Sequence, residues 1–153
     1  MRVAVAGTFG PIHDGHRNLF EHALRFGDDG VIVGLTSDEF ARESRSRPVP
    51  PYEARKADLE SIVEDLDERG REVEIREVSD PHAIVADDPT VDALVVSPET
   101  ADELVPINDE RRNRGLDPLT GIVAPYVLAE NGERISSTRI VRGEIDDRGR
   151  AIE

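Results

Sequence analysis

The chain contains no cysteine and no tryptophan, one methionine, and a single lysine, Lys56. Without cysteine there can be no disulfide, no thiolate metal site and no cysteine nucleophile. No apolar run approaches the ~20 residues that a membrane-spanning helix needs. Positive charge is scarce: 19 Lys and Arg stand against 33 Asp and Glu, a formal net charge of −14. That balance argues against nucleic acid and against an anionic membrane as general partners. The opening residues, Met1 to Gly7, run directly into a strand-like segment and lack the apolar core and cleavage site of a secretory signal. A cytoplasmic protein is therefore expected. The acid excess is spread along the chain and lysine is almost gone, which suggests adaptation to high salt, where self-repulsion is screened.

What is present is an alternation of short apolar runs and amphipathic stretches. The length of 153 residues fits one domain, 1–153, with a modest core. Val3-Ala4-Val5-Ala6 reads as a buried strand ended by Gly7, and Gly15 to Phe26 as a helix with Leu19, Phe20, Ala23 and Leu24 on one face. Val31 to Leu35 is a second strand. Residues 37–51 are polar, carry Arg42, Arg45 and Arg47, and end in Pro48, Pro50 and Pro51, which predicts a short helix and a mobile loop. After Pro51, Leu59, Ile62, Val63 and Leu66 predict a long helix stopped by Gly70. Val73 and Ile75 alternate with charged residues, as an edge strand would. Ala93 to Val96 is a fourth strand, roughly 99–113 a helix ended by Gly115, and Ile122-Val123 the beginning of a fifth strand. Asn131-Gly132 is a turn, and a last helix is expected from Ser136. Strand–helix alternation predicts a five-stranded parallel sheet with helices on both faces, a Rossmann-like α/β fold. Ligands of such sheets bind beyond the C-terminal strand ends.

The segment after the first strand is Gly7-Thr8-Phe9-Gly10-Pro11-Ile12-His13-Asp14-Gly15-His16. Gly7 allows a sharp turn and close approach to a ligand. Thr8 offers a hydroxyl at the strand end. His13 and His16 flank Gly15 at a helix start, where unpaired N–H groups and the helix dipole attract an anion. Either histidine alone would most simply be a cap or a surface residue. The pair at i, i+3 could also suggest a metal, but no third His or Cys ligand stands nearby in the sequence. Far downstream, Ser136, Ser137 and Thr138 precede Arg139. Three hydroxyls at a helix start can cap it or donate to phosphate, and the arginine adds a forked cation.

Gly7-Thr8-Phe9 followed by His13-Asp14-Gly15-His16 resembles the HxGH signature of nucleotidylyltransferases, and Ile135 to Arg139 resembles the ISST element of the same superfamily. The superfamily pattern places its basic residue three after the threonine; here Arg139 follows directly and Arg142 lies further on. The segments Gly34 to Asp38, Pro51 to Lys56, Ser97-Pro98-Glu99-Thr100, Asn108 to Gly115 and Gly143 to Asp146 together resemble the archaeal phosphopantetheine adenylyltransferase family over nearly the whole chain. The resemblance implies transfer of AMP from ATP to 4′-phosphopantetheine, with Mg²⁺ accompanying ATP. It implies that Thr8, His13 and His16 serve catalysis, and that Gly7, Phe9, Gly15, Ser136, Ser137, Thr138 and Arg139 complete the nucleotide site. Asp38, Arg42, Glu99, Asn108 and Arg111 are weaker candidates for the acceptor. The same corner would serve an enzyme acting on FMN or glycerol phosphate, or a non-catalytic ATP sensor. The family includes hexamers and monomers, and the oligomeric state is left open.

Overall fold

The computed structural model describes residues 1–44, 48–80 and 83–125, the side chains of 83 and 84 excepted. The strands are β1 Val3–Gly7, β2 Val31–Thr36, β3 Val73–Val78, β4 Ala93–Val96 and β5 Thr120–Val123. The helices are α1 Asp14–Phe26, α2 Asp38–Ser44, α3 Tyr52–Leu66, α4 Ala83–Ala86 and α5 Leu104–Asn113. All strand pairings are parallel, in the order β3-β2-β1-β4-β5. The apolar runs of β2 and β4 are buried throughout, because both faces of these inner strands are covered. Among the described residues β3 pairs only with β2 and lies at an edge, as its half-polar alternation predicts.

Period-two alternation divides the core between the two faces. Val3, Val5, Val31, Val33 and Leu35 point to one side, against Phe20 and Leu24 of α1 and Leu59 and Val63 of α3. Ala4, Ile32, Leu94 and Val96 point to the other, against Val85, Ile107 and Leu119. Each large aliphatic side chain so buried contributes roughly 1.5–3 kcal/mol. The chain winds outward from β1 through β2 to β3, then returns to place β4 on the opposite side of β1. The order reverses there, so the binding crevice of this topology lies past the C-terminal ends of β1 and β4.

Two boundaries and one additional element differ from the sequence expectation. The helix expected from about 99 instead begins as a 3₁₀ turn over Ala101–Glu103 and becomes α5 at Leu104. Pro106 explains this: it has no N–H to give and its ring crowds the carbonyl four residues back, so it fits only in a first turn. Ile122 and Val123 close β5 rather than open it. The short α4 was not expected at all. The loop anticipated before the prolines includes 45–47, and the Asn131-Gly132 turn and the last helix follow residue 125; these fall outside the described residues. Among the described residues, no helix is long and apolar enough to cross a membrane.

Candidate active site

The loop leaving β1 is shaped by close contacts. Phe9 adopts a left-handed backbone, φ 49°, and its side chain is buried. That conformation costs a bulky residue on the order of 1–3 kcal/mol and persists only where packing holds it. Here the ring meets His16 edge-on at 5.1 Å and Phe20 at 4.9 Å between centroids. The strained residue thereby seats the histidine against the core.

α1 then begins with a capping box made of two histidines. His13 is the N-cap: its Nδ1 accepts from the backbone N–H of His16 at 3.3 Å. In return the Nδ1 of His16 accepts from the backbone N–H of His13 at 3.4 Å. The two rings stack with centroids 3.8 Å apart and planes inclined by 17°. Capping boxes ordinarily use a hydroxyl and a carboxylate. Imidazole substitutes because Nδ1, when it carries a lone pair, is an acceptor. That use fixes the tautomer: both rings hold their proton on Nε2, as a donor. Two parallel ring donors thus stand at the positive end of a thirteen-residue helix. Gly15 is required by this stack, since a Cβ there would lie 2.8 Å from Cε1 and 2.9 Å from Nδ1 of His13. Asp14, in the first turn, holds Arg17 at 2.6 Å.

Beneath the loop lies a residue whose role the sequence did not disclose. Arg55 of α3 is 1 % exposed, yet every nitrogen of its guanidinium has a partner. Nη1 donates to the carbonyls of Thr8 at 3.0 Å and Thr36 at 2.9 Å, and more weakly to Thr36 Oγ1 at 3.4 Å. Nε donates to the carbonyl of Pro50 at 2.8 Å, and Nη2 to Asp38 Oδ1 at 3.0 Å. It ties together the ends of β1 and β2, the proline loop and the start of α2, and puts a fixed cation under the crevice. Gly10 accommodates it: a Cβ there would meet Arg55 Cδ at 2.8 Å. Thr8 is itself buried, and its Oγ1 accepts from Thr36 Oγ1 at 2.9 Å.

Gly7, Thr8, Phe9, His13, Gly15 and His16 are therefore contiguous at the crevice. Of the candidates for the acceptor, Asp38 is engaged by Arg55 and by the backbone N–H of Tyr52 at 2.8 Å, so it anchors α3. Arg42 is exposed in the last turn of α2. Glu99 is exposed in the turn just past β4, which Ser97 and Thr100 close through their hydroxyls, 3.1 Å apart. Asn108 and Arg111 require correction. Asn108 brackets Leu119, accepting from its N–H at 2.7 Å and donating to its carbonyl at 3.3 Å. Arg111 is buried and donates to the carbonyls of Val85, Asp88, Val91 and Asp117. Leu119 and Val91 immediately precede β5 and β4, so both side chains work at the end of the sheet opposite the crevice. They satisfy backbone groups of the one-turn α4 and of the segments leading into β4 and β5. Ser136, Ser137, Thr138 and Arg139 lie outside the described residues. The carbonyl of Pro125, near the end of the described chain, accepts from Asn18 of α1 at 2.9 Å.

A Rossmann-like sheet with paired imidazoles at the helix that follows its first strand places the chain in the nucleotidyltransferase class. The cytidylyltransferase-like family model matches residues 4–143. A phosphopantetheine adenylyltransferase of Methanopyrus kandleri is 42 % identical over 146 residues, 95 % of this chain and 91 % of that protein. One from Archaeoglobus fulgidus is 39 % identical over 152 residues, covering 99 % of this chain and 100 % of the relative. Among solved structures, a protein of unknown function from Archaeoglobus fulgidus superposes with a TM-score of 0.70 at 34 % identity, over 82 % of this chain and 98 % of its own. The chain belongs to the cytidylyltransferase-like family, in the branch of the archaeal phosphopantetheine adenylyltransferases.

Proposed function

We propose that this enzyme transfers the adenylyl group of ATP to 4′-phosphopantetheine, yielding dephospho-CoA and pyrophosphate in the cytoplasm. The observation that carries the reading is the His13–His16 capping box at the crevice, which sets two stacked ring donors at the positive end of α1, where an anion is favoured. An acceptor phosphate oxygen attacks the α-phosphorus as the bond to the bridging oxygen breaks and pyrophosphate leaves in line. Such a transfer asks the protein for positioning and charge stabilisation rather than covalent chemistry. The Nε2–H donors of His13 and His16 steady the α-phosphate as its charge redistributes, and the hydroxyl of Thr8 orients a phosphate oxygen. Arg55 supplies positive potential from below without leaving its carbonyl cage. Ser136, Ser137, Thr138 and Arg139 hold the β- and γ-phosphates.

Mg²⁺ would neutralise phosphate charge. At the corner both ring nitrogens of each histidine are already committed, and among the described residues no group of three or more His, Cys, Asp or Glu could hold a metal ion. The ion would accordingly accompany the triphosphate itself.

The test is pyrophosphate release from ATP and Mg²⁺ in molar KCl, with phosphopantetheine, FMN or glycerol phosphate offered separately. Release with phosphopantetheine alone is expected. Release with another acceptor would keep the chemistry and move the substrate. ATP binding without release in any arm would mark a sensor and overturn the reading.

A further inference from the structure

We infer that Thr36 and Arg55 form a donor relay that fixes which way the Thr8 hydroxyl points, making Thr36 a positioning residue for the transferred or accepting phosphate. This rests on the proposed role of Thr8.

A hydroxyl has one hydrogen to give and can rotate to give it in several directions. At Thr8 the surroundings remove that choice. Arg55 is always charged and can only donate. Its Nη1 lies 2.9 Å from the Thr36 carbonyl and 3.4 Å from Thr36 Oγ1, so the lone pairs of that hydroxyl face a cation. The Thr36 hydrogen must then turn away from the guanidinium. It is spent on Thr8 Oγ1 at 2.9 Å. Thr8 is thereby made the acceptor of that bond, and its own hydrogen is left to donate elsewhere. Nη1 also holds the Thr8 carbonyl at 3.0 Å, which locks the backbone from which the side chain projects.

The polarity therefore runs one way: guanidinium to Thr36, Thr36 to Thr8, Thr8 to a bound oxygen. An anion is the acceptor this polarity suits, because each donor in the line strengthens the next. Thr36 is fully buried and ends β2, the strand beside β1, so it can touch no substrate itself. A chain needing only a filled volume at this position could use valine, which has the same branched shape. The hydroxyl is explained by the relay.

The test compares Thr36→Val, Thr36→Ser, Thr8→Val and the Thr8→Val/Thr36→Val double variant in the pyrophosphate-release assay, with ATP affinity measured by calorimetry. Thr36→Val keeps the shape and removes the donor, so the Thr8 hydroxyl loses the bond that fixes its rotation. A fall of about 10- to 100-fold in kcat/KM is expected, the scale on which misplaced groups act. Thr36→Ser is expected to recover most of it. In the double variant the loss should equal that of Thr8→Val alone, because Thr36 acts only through Thr8. Unchanged turnover in Thr36→Val, or losses that multiply in the double variant, would overturn the relay. Unchanged turnover in Thr8→Val would instead overturn the role of Thr8 on which it rests. Should Thr36→Val not fold, Thr36→Ala removes the same hydroxyl without placing a methyl against the guanidinium, and is read by the same cycle.

Discussion

Gly15→Ala separates the catalytic meaning of the histidine stack from its structural one. Replacing glycine by alanine inside a helix ordinarily stabilises it by up to about 1 kcal/mol. Here the new methyl would lie 2.8 Å from His13 Cε1 and 2.9 Å from Nδ1. The ring has to move, and its cap on the His16 N–H weakens, a loss of about 0.5–2 kcal/mol. The two effects nearly cancel, so the net change should stay within about 1 kcal/mol, or roughly 2–4 °C in Tm for a chain of this size. Turnover has no such compensation. Displacing His13 moves its Nε2–H and unstacks it from His16, and a shift on the ångström scale can lower kcat/KM about 100-fold. Calorimetric melting and pyrophosphate release on the same preparation measure both. A variant that melts several degrees higher and turns over normally would refute the idea that His13 lies over Gly15 and serves the phosphate.

Arg111→Ala should leave the described crevice intact yet unfold more easily, by about 3 kcal/mol or more, because buried carbonyls lose their donor; a drop in kcat at unchanged stability would return Arg111 to the acceptor site. Asp88 contributes a pH-dependent share of stability. Burial alone would raise its carboxyl, but hydrogen bonds from the Thr90 hydroxyl and N–H, and from Arg76, outweigh it and hold the group below 3.8. Stability from a depressed carboxyl is present above its ordinary value and lost as pH falls through the lower folded one. Urea titrations should therefore show a steeper loss below about pH 4 in the parent than in Asp88→Asn, and parallel curves would refute the assignment. The acid excess predicts that Tm rises with added KCl; equal or greater stability at low salt would sink the high-salt reading.

The parts of the fold that apolar patterning governs were readable in the sequence. Inner strands such as Val31 to Leu35 are continuous runs because both faces are covered, and α1 shows its buried stripe openly. The clustering of Gly7, Thr8, His13 and His16 was readable because all four fall within one strand–helix junction. The two arginines that hold the structure together were not. Arg55 lies on the same buried stripe as Leu59 and Val63, and Arg111 on that of Ile107. Periodicity counts apolar residues, so a cation on an apolar stripe looks like surface. An arginine four residues from a buried aliphatic position, before it for Arg55 and after it for Arg111, was the available signal. β5 opens with Thr120-Gly121, which carries little strand preference, so only its last half was visible. α4 is one turn long and offers no repeat to detect.

The histidine cap carries a further consequence for how the protein responds to its nucleotide. In each ring one nitrogen closes the helix and the other faces the task of donation, and the two are joined through the same π system. An oxygen that draws on Nε2–H makes Nδ1 more basic and a better acceptor for the backbone amide it already holds. The first turn of α1 is thus completed from outside. ATP would act as an extension of the fold, slowing amide exchange at His13 and His16, whose two cap bonds are 3.4 and 3.3 Å long.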